Sequence, residues 1–415
     1  MTTRRDFLRS SSLLGFGATV PAFLGRTAHA APTADKAGAK DTVLVVVQLT
    51  GGNDGMNTVI PFTNPDYYKL RPNIAVAKDQ VKKLTDDVGL HPSMSALAKL
   101  YTDDGAVCVV QGVGYPNPSQ SHFRSMDVWH AAGTADTLTE GWLGNALKKQ
   151  GVPAFHLAGG NEVSPLALAG APVRVPSITS LDDFKLKTVG VTGADNAAQK
   201  GVITSVANPT NAPTTSTPNL LDFVSRTQTS TYASSEKLAG IGKNYTPKVP
   251  YPTSALGTKL KLAAQLIDAG IGARLFYVSI DGFDTHAGQG GATGAHANLL
   301  AQVSDAISAF YRDLAGRGHK DRLCVMTFSE FGRRAYENGS KGTDHGAGAP
   351  MFLVGGNVKA GIVGKHPSLT GLKEGNLVHG TDFRQVYAAV LEKWLGVDSK
   401  PIVGDGFKPA EVFAK

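Results

Sequence analysis

Residues 323–346, LCVMTFSEFGRRAYENGSKGTDHG, open with an apolar run that stops at an acidic residue, Glu330, and continue as a loop closing on Asp344-His345-Gly346. A short apolar run of this kind predicts a buried strand, and open α/β sheets gather their ligands just beyond the carboxyl ends of strands. Two further runs end alike. TVLVVVQL, residues 42–49, leads into Gly51-Gly52-Asn53-Asp54-Gly55, and RLFYVSI, residues 274–280, leads into Asp281-Gly282-Phe283-Asp284-Thr285-His286. Three predicted strand ends therefore offer carboxylates and imidazoles together.

Working outward, helices are predicted between these runs. Pro92 suits a first helical turn, and Met94, Leu97 and Leu100-Tyr101 share one face, so a helix follows His91 and leads to a strand over 106–111 in a β-α-β crossover. Leu299, Val303, Ile307, Phe310 and Leu314 keep helical spacing ahead of the strand at 323, a further strand covers 351–354, and a last helix covers 383–395. Alternating β and α argues for a three-layer α/β fold with a mainly parallel central sheet. Residues 64–68, NPDYY, read as an irregular cover. The Ala/Gly/Pro/Thr-rich passage 151–249, with one helical stretch over 219–238, reads as an insertion or cap.

The 415 residues, 42% hydrophobic, can bury a large core. Of the formal net charge of +7, Arg4, Arg5, Arg9 and Arg26 against Asp6 place +3 in the first thirty residues. The remainder is too mild and too scattered for nucleic-acid binding. Those thirty residues carry Arg4-Arg5, an apolar middle and Ala28-His29-Ala30, the parts of a twin-arginine signal peptide over 1–30. That predicts passage through the twin-arginine translocation machinery, cleavage near Ala31, a loose linker over 31–41 and one domain over 42–415, with a periplasmic or extracellular location. No run in the mature chain reaches the roughly 20 apolar residues of a membrane span. Cys108 and Cys324 both lie within apolar runs and read as buried thiols.

Asp54, Asp281, Asp284, His286, Glu330, Asp344 and His345 form a mixed oxygen and nitrogen donor set, suited to zinc, manganese or iron; hydrogen-bonded turn carboxylates are the alternative. Two such ions would clamp the attacking and leaving oxygens of an in-line displacement. The loop GVGYPNPSQSHFR, residues 112–124, would put Ser119, Ser121 and His122 at a helix N-terminus, where free N–H groups favour an anion, although either serine also suits a plain N-cap. Arg333 and Arg334 are candidates for gripping oxyanions. Among the other histidines His91, near a helix start, is a candidate for the pocket.

GGNDGMNT, NPSQSHFRSMDVW, DGFDTHAGQ, SEFGRRAYENGS, GTDHGAGAP and DFRQVYAAVLEKWLG, in this order, resemble the DUF1501 family, exported proteins grouped with the alkaline phosphatase and sulfatase superfamily. The resemblance spans nearly the whole mature chain. It implies an alkaline-phosphatase-like fold with two divalent ions and a serine nucleophile, best matched by Ser121 with Ser119 second and His122 beside it. Asp54 matches the aspartate after the first strand, and Asp344-His345 matches the superfamily's metal-binding Asp-His pair. Asp284 and His286 look like the other ion's ligands, although one residue separates them where the superfamily often has three. The implied activity is hydrolysis of a phosphate or sulfate ester, small or polymeric; a non-catalytic exported binding or scaffold protein is the alternative.

Overall fold

A computed structural model describes residues 41–160, 162–172, 174–184, 240–242 and 245–414. The signal peptide and linker expected over residues 1–40 and the helix expected over 219–238 lie outside the described residues. Backbone proximity divides the chain into two units. The smaller holds the described residues of 180–245 together with 265–272, including a short 3-10 helix, Leu181–Phe184. The larger carries the sheet and everything below except residues 265–268.

In chain order its strands are β1 (Val43–Leu49), β2 (Val59–Ile60), β3 (Lys82–Lys83), β4 (Gly89–Leu90), β5 (Val107–Gly114), β6 (Ala154–Leu157), β7 (Ser177–Ile178), β8 (Leu275–Ile280), β9 (Leu323–Phe328), β10 (Ala349–Gly355), β11 (Gly361–Val363) and β12 (Thr381–Asp382). The main sheet runs β11-β5-β10-β9-β1-β8-β6-β7, with β12 also on β5. Within this sheet every pairing is parallel except those of β10, which is antiparallel to both β5 and β9; β2, β4 and β3 form a separate antiparallel sheet. Being antiparallel to one common neighbour, β5 and β9 point the same way. The carboxyl ends of β1, β5, β8 and β9 thus share one edge of the sheet.

β1 sits between β9 and β8, with Val46 level with Met326 and Tyr277. All of β1, β5 and β9 is buried, which is why their sequences are continuously apolar rather than alternating. The helices are α1 (Ser95–Thr102), α2 (His122–Ala131), α3 (Trp142–Gln150), α4 (Ala255–Asp268), α5 (Ala295–Ala315) and α6 (Phe383–Ala389). One face of the sheet, including Leu44, Val46, Cys108 and Cys324, packs with Trp129 of α2, Trp142 of α3 and Phe383 and Tyr387 of α6. Side chains alternate across a strand, so Val43, Val45 and Val47 face the opposite side. There α5 lies against α1 and β10, burying Leu300, Val303, Ile307, Phe310 and Leu314. The sheet is therefore a mainly parallel middle layer of an α/β fold.

Several elements differ from the sequence reading. Residues 65–70 are a helix, capped by Asn64 with Pro65 in its first turn, rather than an irregular cover. β6 and β7 fall inside 151–249 yet belong to the main sheet, so an insertion starting at 151 is corrected. The last helix continues from α6 as a π-helical stretch, Val390–Leu395. Both cysteines are free and buried; burial pushes the Cys108 thiol up to about 12, so neither behaves as a reactive thiolate.

Candidate metal centre at the carboxyl edge of the sheet

The loops after β1, β8 and β9 can lie together only because the first contains glycine. Gly51 has φ +116°, and a Cβ there would come within 2.4 Å of the Asp284 nitrogen; Gly52, at φ +82°, abuts the Phe331 ring. Arg333 then ties the loops. Almost wholly buried, it donates from Nε to the Gly52 carbonyl at 2.7 Å, from Nη1 to Thr343 O at 2.9 Å, and from Nη2 to Gly51 O, to Phe283 O at 3.1 Å and to Asp284 Oδ1 at 2.7 Å. A guanidinium committed in this way has no fork left for a substrate, so Arg333 is corrected from an oxyanion grip to a clamp. Arg334 donates to the Tyr336 hydroxyl at 2.5 Å.

Around Asp284 three imidazoles converge. His122, the first residue of α2, has Nδ1 2.9 Å from Oε1 of the fully buried Glu330 and Nε2 3.5 Å from Asp284 Oδ2. His345 donates from Nδ1 to the Gln120 carbonyl at 2.7 Å, and its Nε2 lies 3.1 Å from Asp284 Oδ1. His286 has Nδ1 3.3 Å from Asp344 Oδ1 and Nε2 3.1 Å from Asp284 Oδ1. Each ring thus has an oxygen acceptor behind Nδ1; in the tautomer with Nδ1 protonated, Nε2 turns a lone pair inward.

The consequence is visible between His286 and His345, whose Nε2 atoms are 2.9 Å apart. Two lone pairs at that distance repel unless a proton or a cation lies between them. His122 Nε2 is itself a buried nitrogen with no hydrogen-bond partner among the described residues. Among the described residues, His122, Asp284 and His345 offer ligand atoms all within 4.8 Å of one another. Three imidazoles and one carboxylate, each ring held from behind, is donor chemistry that fits a divalent ion of the zinc type.

Asp284 stays anionic there. Burial pushes its carboxyl up, but the hydrogen bond and charge of Arg333, together with the neighbouring imidazoles, outweigh that and hold it at about 2. Asp344 is lowered, first by the Asn338 amide and then by His286, against partial burial. The mouth is open: 47% of the Asp284 side chain is exposed. Ser121, the N-cap of α2, is exposed and its hydroxyl makes no capping bond, while Ser119 Oγ accepts from the Ser121 N–H at 3.2 Å.

The other expected ligands lie elsewhere. Asp54 is fully buried, caps the short helix Gly55–Thr58, and pairs through Oδ2 with Arg71 Nη1 at 2.5 Å and Gln289 Nε2 at 2.5 Å. A metal there would have to displace a guanidinium, so Asp54 is corrected from ligand to buried ion pair. Burial raises its pKa, but Arg71 and Gln289 outweigh that and bring it to about 2. Asp281 is exposed and outside the cluster. Glu330 and Asp344 stand behind His122 and His286 rather than among the inward atoms. His91 is buried, its Nε2 2.9 Å from Gly291 O. Sequence reasoning missed Arg71, Gln289 and Asn338, which no local motif marks, and the Gln120 carbonyl, which no side-chain pattern can reveal.

Such a donor cluster at the strand ends of a mainly parallel sheet defines an α/β protein with a candidate metal centre. A family model described as "Protein of unknown function (DUF1501)" matches residues 41–403, and the chain belongs to that family. No curated protein matches it significantly. Among solved structures it is similar to the C-terminal periplasmic domain of EcEptC from Escherichia coli, in complex with zinc (12% identity over 78% of this chain and 74% of that one, TM-score 0.38). It is also similar to the PsFucS1 sulfatase from Pseudoalteromonas sp. (13%, 89% and 73%, TM-score 0.36) and to a protein of the alkaline phosphatase superfamily from Vibrio parahaemolyticus (9%, 92% and 76%, TM-score 0.36).

Proposed function

We propose that this protein is an exported metal-dependent hydrolase of phosphate or sulfate esters, with Ser121 as nucleophile. The observation that carries the reading is the convergence of three imidazole Nε2 atoms on Asp284, each ring fixed from behind. His122, Asp284, His286 and His345 would hold one divalent zinc, manganese or iron ion. Bound there, such an ion supplies Lewis acidity toward an ester oxygen and lowers the pKa of a nearby hydroxyl.

The chain's own residues supply the rest. Ser121 presents an uncapped, exposed hydroxyl one residue from His122, and the His345–Gln120 bond ties its loop to the cluster. The first backbone N–H groups of α2 have no helical acceptors and favour an anionic ester beside them. Ser121 Oγ would lose its proton and attack phosphorus or sulfur, the ester oxygen would leave as the protonated alcohol, and water would later hydrolyse the serine ester to free phosphate or sulfate and restore the hydroxyl. Glu330 keeps His122 in the tautomer that leaves Nε2 free, and Arg333 holds Asp284 in place. Export rests on the Arg4-Arg5 signal; among the described residues no helix is long and apolar enough to cross a membrane.

The test is turnover of phosphate and sulfate esters by the purified protein with zinc, manganese or iron added. Ser121→Ala should lose about a thousandfold or more in kcat while keeping its metal. Unchanged turnover in Ser121→Ala would remove the serine from the mechanism. A metal-loaded protein that hydrolyses neither class of ester would point to a binding protein that keeps the site without chemistry.

A further inference from the structure

Beside the first turn of α2 lies a cavity of about 330 Å³, lined among others by Tyr115, Asn117, Ser119, Arg124, Thr134 and Arg384. We propose that it is a subsite for a second oxyanion group, so that the preferred substrate carries two phosphate or sulfate groups. The word substrate rests on the hydrolase reading; the anion site itself does not.

The lining holds two guanidiniums, three hydroxyls and an amide, with no carboxylate among its residues. The two arginines differ. Arg384 is engaged by Asp382, from Nε at 2.8 Å and from Nη2 at 2.7 Å, and lies 4.0 Å over the Phe407 ring, so its charge is offset. Arg124 donates only from Nη2, to the carbonyls of Thr134 at 2.7 Å and Ala135 at 2.8 Å. Those bonds fix the plane of the guanidinium without neutralising it, and leave Nε and Nη1 free of acceptors among the described residues. An oriented, unneutralised guanidinium facing hydroxyls is suited to a tetrahedral oxyanion.

The placement ties this cavity to the reaction. Consecutive helical residues are turned by about 100°, so the first turn of α2 fans outward. His122 goes to the cluster, Phe123 is 86% exposed, and Arg124 reaches the cavity. Ser119 forms its wall two residues before Ser121, and two residues span at most about 7 Å. The loop is also built in advance: the Tyr115 hydroxyl lies 2.9 Å from Ser125 Oγ and accepts the Ser119 N–H at 2.9 Å, so little ordering is lost on binding.

The test titrates inorganic sulfate and inorganic phosphate into the full chain by calorimetry, with a chelator present so that metal chemistry plays no part. Wild type and Asp284→Asn should bind both anions alike. Arg124→Gln should weaken binding about tenfold, and Arg124→Lys should restore part of it. No anion binding by wild type, or binding unchanged in Arg124→Gln, overturns the subsite. With metal restored, an ester carrying two anionic groups should show a lower KM than its monoanionic analogue, and Arg124→Gln should close that gap with kcat unchanged. Equal KM values in wild type would overturn the substrate assignment while leaving the anion site standing. Absence of all turnover with anion binding intact would count against the hydrolase reading alone.

Discussion

Replacing Arg71 by Met tests whether the interior around Asp54 is held by an ion pair rather than by a metal ion. Arg71 is fully buried and donates to Asp54 Oδ2 at 2.5 Å, Asn57 Oδ1 at 3.0 Å, and the carbonyls of Ala335 and Arg334, each at 3.0 Å. Truncation strands a buried carboxylate with only the Gln289 amide and the Met56 N–H as donors, and orphans two carbonyls. Breaking one partner of a buried pair costs about 3 to 5 kcal/mol. A charge component follows from the Asp54 pKa, about 2 against the ordinary aspartate value of 3.8, worth roughly 2 kcal/mol. In wild type that component is present above the unfolded pKa near 4 and is lost as pH falls through 2. In Arg71→Met burial acts on Asp54 with little to oppose it and raises the carboxyl. The variant then regains stability as acid protonates Asp54, and its deficit should narrow between pH 7 and pH 4. Denaturant unfolding at several pH values reads this directly. A deficit under about 1 kcal/mol, or one that widens in acid, would refute the reasoning; adding Asp54→Asn should recover part of the loss.

Other outcomes follow from the same geometry. Glu330→Gln takes the carboxylate from behind His122, and zinc affinity measured by chelator competition should fall about 10- to 100-fold; an unchanged affinity would mean that Glu330 does not set the His122 tautomer. Gly51→Ala adds a Cβ within 2.4 Å of the Asp284 backbone at a φ of +116°, and should cost roughly 2 to 4 kcal/mol by denaturant titration, a loss that a strain-free loop would not show. Burial pushes His296 down to about 4, so its contribution is complete above pH 6.5 and lost as pH falls through 4; removing it with His296→Gln should flatten stability against pH in that window by up to about 3 kcal/mol.

What could be read from the sequence was whatever repeats locally. The unbroken apolar runs of β1, β8 and β9 gave buried parallel strands, and the 3.6 period of α5 gave its core face, although Leu300 rather than Leu299 is buried. Pairing order is a long-range property. That β10 and β9 separate β5 from β1, or that Ala154–Leu157 joins β8 rather than an insertion, leaves no mark within a short window. The same limit applies to the site. Asp284, His286 and His345 could be found because strand ends announce them, but an aspartate after a strand looks the same whether it faces a metal or an arginine. Asp54 faces Arg71, seventeen residues on, and only the folded chain shows it. Arg333 failed as a substrate contact for the mirror reason: its acceptors are carbonyls, which every residue carries.

The most direct test of the metal centre is elemental analysis of the purified wild type beside an Asp284→Asn, His345→Ala double variant. About one equivalent of zinc, manganese or iron in the wild type, lost in the variant while the fold persists by circular dichroism, is the predicted result. No bound metal in wild type after excess is added back, or equal metal in both proteins, would contradict it.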